Sequence, residues 1–120
     1  MFKIDSDKTK NRLYITLGEL SSDDIKPILA DLTQNIAQLK KGFTCLVDIR
    51  SMSIDEKTLG EEYVEIVQGA LADSGMGKVA RVVKKENEVF FHRMERSSQT
   101  LGYSAILTFS IQEAEKILDA

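Results

Sequence analysis

The chain alternates between short runs that read as strands and longer runs whose apolar residues recur with a helical period. Phe2 to Asp5 forms a short strand candidate, and the polar run Ser6 to Asn11 reads as a turn. Arg12-Leu13-Tyr14-Ile15-Thr16-Leu17 is rich in β-formers and predicts a second strand. The short polar connection between the two predicts an antiparallel hairpin. Ser21 and Ser22 followed by Asp23 and Asp24 mark a helix start. A serine hydroxyl caps free backbone N–H groups there, and acidic residues suit the positive end of the helix dipole. Ile25, Ile28, Leu29, Leu32, Ile36 and Leu39 recur at three- and four-residue spacing and predict a helix to about Lys40. Pro27 falls in its first turns, where a missing N–H costs least. Lys40-Lys41-Gly42 reads as its stop.

Phe43 to Ile49 is an almost unbroken apolar run, which predicts a strand buried on both faces, as in a parallel sheet covered by helices. A loop over Arg50 to Asp55 leads to a helix predicted from about Glu56 to Ser74, with Leu59, Tyr63, Ile66, Val67, Ala70 and Leu71 as its apolar side. Gly75-Met76-Gly77 precedes a strand, whereas phosphate-cradling loops follow one, so it reads as a helix stop. Lys78 to Val83 predicts a fourth strand, Asn87 to Thr100 a helix, and Ser104 to Phe109 a last strand. Ser110 then caps a final helix through Ile111, Ala114, Ile117 and Leu118. The order ββαβαβαβα implies an α/β fold: one domain over residues 1–120, a mostly parallel mixed sheet of about five strands, and about four helices. In such sheets ligands bind beyond the carboxyl ends of the strands. That rule points to Asp48–Asp55, Lys84–Asn87 and Phe109-Ser110.

Composition narrows the functions open to this fold. In a chain of 120 residues, 42% hydrophobic and 29% charged content is that of an ordinary globular domain. A net charge of −3 gives no general attraction for nucleic acid. The start, Met1-Phe2-Lys3-Ile4-Asp5, lacks an apolar segment of signal-peptide length. No stretch approaches the roughly 20 apolar residues of a membrane span. The expectation is a cytoplasmic protein without a membrane span. One cysteine and one histidine cannot make a structural zinc site, so no metal or other cofactor is expected. Cys45, inside the apolar third strand, reads as a small core residue.

The candidate chemistry is sparse. His92 has Glu88 and Arg96 four residues to either side, but a general base also needs a nucleophile and an orienting group in reach, so its ordinary reading is a solvent-facing or satisfied histidine. Lys84, Lys85, Arg93 and Arg96 form the most basic stretch, yet Glu86, Glu88 and Glu95 interleave as on a normal solvated face. Asp48, Arg50, Ser51, Ser53 and Thr58 gather at a strand end and helix start, where oxygen donors and an arginine can hold an anion or a partner. Ser53 and Asp55 serve equally as helix caps. Leu59, Tyr63, Phe90, Phe91 and Met94 are ordinary core positions that could also line an apolar groove for a lipid-like ligand. With no paired acid and base, no nucleophile motif and no metal set, no enzyme is expected.

The element order and the segment Leu46-Val47-Asp48-Ile49-Arg50-Ser51-Met52-Ser53-Ile54-Asp55 resemble the STAS (anti-sigma-factor antagonist) family. In that family a loop after an apolar strand leads to a helix opening with a motif of the type Asp-Ser-Ser-Gly, whose first serine is phosphorylated by a partner kinase. Here Glu56 stands at the aspartate, Lys57 at the phosphorylated serine, Thr58 at the next serine and Leu59 at the glycine, with Gly60 one position late. A lysine cannot accept phosphate as serine does. The resemblance therefore implies a STAS-type module without that switch, unless Thr58 takes the role. Lys78-Val79-Ala80-Arg81-Val82-Val83 and the acidic helix Gln112-Glu113-Ala114-Glu115-Lys116-Ile117-Leu118 are similar to the SpoIIAA-like branch of that fold. The resemblance implies a regulatory module binding a protein or a second copy of itself. The alternative is a carrier or sensor binding a small apolar or lipid-like ligand in a groove between helices and sheet.

Overall fold

Asp7 ends the first strand by turning the chain. Its Oδ1 accepts hydrogen bonds from the backbone N–H of Thr9 at 2.9 Å and of Lys10 at 3.1 Å. Asn11 then adopts the left-handed region at φ 52°, which asparagine tolerates better than most residues. This turn joins β1 (Phe2–Asp7) to β2 (Arg12–Leu17) as an antiparallel hairpin. β1 is longer than its apolar residues predict, because Ser6 and Asp7 continue the pairing against Leu13 and Arg12.

The computed structural model describes residues 1–51, 66–67, 69–88 and 105–120. Within them the chain is a mixed α/β fold with one five-stranded sheet in the order β1-β2-β3-β4-β5. β2, β3 (Thr44–Asp48), β4 (Val79–Val82) and β5 (Ala105–Thr108) run parallel to one another. Helix α1 (Ile25–Ile36) follows a 3-10 turn over Ser22–Asp24, whose Asp24 carboxylate accepts the Ser21 N–H at 2.9 Å. α1 stops four residues short of the predicted Lys40. The Asn11 side chain accepts the Lys40 N–H at 2.8 Å and donates to the Lys40 carbonyl at 3.2 Å. That clamp holds the chain against the hairpin, and the N–H groups of Gln38 and Leu39 fall back to three-residue turns.

Helix α2 is described at 66–67 and 69–73 and ends as predicted, with Gly75 at φ +83°. α1 and α2 share one face of the sheet. Ile28, Leu32, Val67 and Leu71 pack there with Leu13, Ile15, Cys45, Val47 and Val79. Helix α3 (Ile111–Asp119) covers the opposite face, where Ala114 and Leu118 meet Leu46, Ala80 and Val82. β3 is therefore buried on both faces, as its unbroken apolar run requires. Ser110 caps α3, its Oγ accepting the Glu113 N–H at 3.1 Å. The helix predicted over Asn87–Thr100 lies outside the described residues beyond position 88. At its start Lys85–Asn87 form a 3-10 turn.

The connections into β3 and β4 cross closely beneath the sheet. Gly42 donates to the Gly75 carbonyl and Gly77 to the Phe43 carbonyl, each at 2.8 Å. A Cβ on Gly77 would lie 2.8 Å from the Gly42 carbonyl oxygen, so the backbone itself would have to move. Gly77→Ala should destabilise the protein by roughly 1–3 kcal/mol, as overpacking does, read as a lowered urea midpoint with an unchanged m-value.

Candidate functional site

At the carboxyl edge of β3 the chain leaves the sheet through Asp48, Ile49, Arg50 and Ser51. Asp48 accepts three hydrogen bonds from Arg50: backbone N–H at 3.2 Å and Nε at 2.9 Å to Oδ1, and Nη2 at 2.9 Å to Oδ2. Burial alone would raise the Asp48 carboxyl, but the Arg50 bonds outweigh it and hold it below its ordinary value. The carboxylate is thus held ionised and is a weak proton acceptor. The Arg50 side chain remains 42% exposed, so the pair presents an oriented guanidinium to solvent. Ser51 is exposed beside it. Of the five residues predicted to gather here, the structure brings Asp48, Arg50 and Ser51 together. Ser53 and Thr58 lie outside the described residues, as do Leu59, Tyr63, Phe90, Phe91 and Met94 of the predicted groove, and His92. Lys84, Lys85 and Glu86 are exposed, a face of mixed sign.

The amino edge holds a second constellation. Arg12, only 2% exposed, donates from Nη1 to Glu115 Oε1 at 2.9 Å, from Nη2 to Asp119 Oδ1 at 2.8 Å and from Nε to Thr44 Oγ1 at 2.9 Å. The Tyr14 hydroxyl donates to Glu115 Oε1 at 2.8 Å, and Lys10 Nζ to Glu115 Oε2 at 3.1 Å. Two strands and α3 are joined through one buried guanidinium. Burial would raise the Glu115 carboxyl, but the bonds from Tyr14, Lys10 and Arg12 outweigh it and hold it below its ordinary value. Sequence reasoning took Arg12 only as a strand start. The available signal was the pair Glu115 and Asp119, one helical turn apart on the acidic last helix.

Cys45 is fully buried, and burial pushes its thiol up to about 12. Arg81 is buried in the middle of β4, its carbonyl accepting the Thr108 hydroxyl at 2.9 Å. By strand alternation its side chain enters the face shared by Val79, α1 and α2. Among the described residues no group of histidine, cysteine and carboxylate side chains is placed to hold a metal ion. None of the helices they form is long and apolar enough to cross a membrane. No protein-family model, no curated protein and no solved structure matches the chain.

A carboxyl held low in the folded state stabilises the fold above its unfolded value and loses that contribution as pH falls through the folded one. Glu115→Gln should cost roughly 1–3 kcal/mol at about pH 7, and the gap from wild type should narrow at a pH below the ordinary glutamate range. Urea midpoints at the two pH values measure it. Cys45 should resist a thiol reagent in the native protein and react only on unfolding, because the thiolate is the nucleophile. Labelling rates with and without denaturant give the comparison.

Proposed function

We propose that this chain is a non-catalytic, regulatory protein-interaction module of STAS type, engaging its partner through the carboxyl edge of β3. The observation that carries this reading is the Asp48–Arg50 pair, pre-oriented at the position where an open α/β sheet presents its binding residues. A guanidinium fixed on its own carboxylate loses little freedom on meeting a partner, which favours recognition. The same fixation leaves Asp48 poorly suited to accept a proton, which weighs against a catalytic role for it. The order of the strands, with β1 antiparallel and the rest parallel, supports the STAS-type architecture. Lys57 at the motif's phosphorylated position supports a module without the serine switch.

The test compares wild type with Arg50→Ala and Asp48→Asn, each checked for folding by circular dichroism. Cross-linked capture from the native host should retain a defined partner on wild type and lose it on Arg50→Ala, with Asp48→Asn weakened roughly tenfold through the freed guanidinium. Equal capture by all three variants would remove the carboxyl edge from the reading. A lipid-sized adduct in native mass spectrometry, lost on denaturation, would replace the reading with the apolar carrier.

A further inference from the structure

Among the described residues β1 is an edge of the sheet. Gly18 donates to the Met1 carbonyl at 2.8 Å, and the Asn11 carbonyl accepts from Thr44 at 3.0 Å. Those bonds set the phase of the ladder, so Lys3, Asp5 and Asp7 spend their backbone groups on β2. Phe2, Ile4 and Ser6 direct theirs outward. The carbonyl of Ile4 confirms the phase, since it meets α1 rather than β2, accepting the Asn35 side-chain amide at 3.4 Å. The same amide donates at 2.9 Å to the Asp31 carbonyl, so its hold on the edge is the weaker of its two bonds.

We propose that two copies of this chain pair through β1, antiparallel, about a two-fold axis at Ile4. Outward backbone groups exist at positions 2, 4 and 6, so a symmetric antiparallel pair can centre on positions 3, 4 or 5. Centred on 3, Lys3 would face Lys3 of the second copy. Centred on 5, Asp5 would face Asp5. Centred on Ile4, each Lys3 faces an Asp5 and each Asp5 a Lys3, and the charges alternate around the axis. Lys3 and Asp5 already sit on one face, with Nζ 3.6 Å from Oδ2 and side chains 74% and 61% exposed. Directly opposite charges stabilise a cross-strand pair and like charges oppose it, so the side chains choose the register. Both copies turn α3 to the same side, and the carboxyl edges of their parallel strands point to opposite ends of a ten-stranded sheet. This inference does not depend on the function proposed above.

Sedimentation equilibrium of the whole chain tests it, with Lys3→Asp and Asp5→Lys as variants whose exposed positions spare the core. Wild type should associate with a dissociation constant between roughly 1 µM and 1 mM, that of a small interface, and weaken with added salt. Each single variant should weaken self-association roughly tenfold or more by setting like charges opposite. Mixing the two variants should restore a heterodimer. The acidic side chains of the Lys3→Asp copy would then face the basic side chains of the Asp5→Lys copy on both sides of the axis. A wild type monomeric at about 1 mM, single variants that associate as wild type does, or a mixture that fails to recover association would each overturn the proposal.

Discussion

One buried guanidinium fixes how the last helix docks on the sheet. The parallel strands run in sequence order, and crossovers of one hand then place successive connecting helices on one face of the sheet. α1 and α2 lie there together. The other face would leave Leu46, Ala80 and Val82 in water if the chain did not return across it as α3. α3 has only nine residues and buries just Ala114 and Leu118 fully. That apolar contact is small and tolerates sliding. Arg12 does not, because its three hydrogen bonds to Thr44, Glu115 and Asp119 are satisfied in a single placement of the helix.

The energetic logic follows from burial. Removing a guanidinium from water costs several kcal/mol, and paired charges roughly offset rather than exceed that cost. The network is therefore better understood as fixing where α3 docks than as a large net source of stability. Its geometry supports this, because the guanidinium is almost inaccessible while Asp119 and Lys10 remain about half exposed and screened. Tyr14 extends the same logic, its hydroxyl taking up Glu115 while its ring packs beside Leu46.

Much of this architecture was legible in the sequence, and the parts that were not share a cause. The bounds of β2, the double burial of β3, the Ser110 cap and the stop at Gly75 all follow from local chemistry: β-branched runs, unbroken hydrophobicity, a hydroxyl before a helix, a residue at positive φ. The end of α1 does not, because the apolar period continues through Leu39 and the competing force comes from Asn11, in a turn distant in sequence. Arg12 was missed for the same reason, since its carboxylates lie about a hundred residues away. At the carboxyl edge, adjacency in the chain made Asp48, Arg50 and Ser51 visible together, but only the fold shows the carboxylate consumed by its neighbour.

The two ends of the sheet thus set the same kind of ion pair at different depths. At the amino edge the arginine is buried and its carboxylates lie outside, so the attraction is turned inward on the fold. At the carboxyl edge the carboxylate is the more buried partner, 17% exposed against 42% for the arginine, so the pair offers its cation outward. An arginine in that position adds little to the stability of the chain that carries it. Under the proposed function, that planar, oriented donor is what a partner would meet.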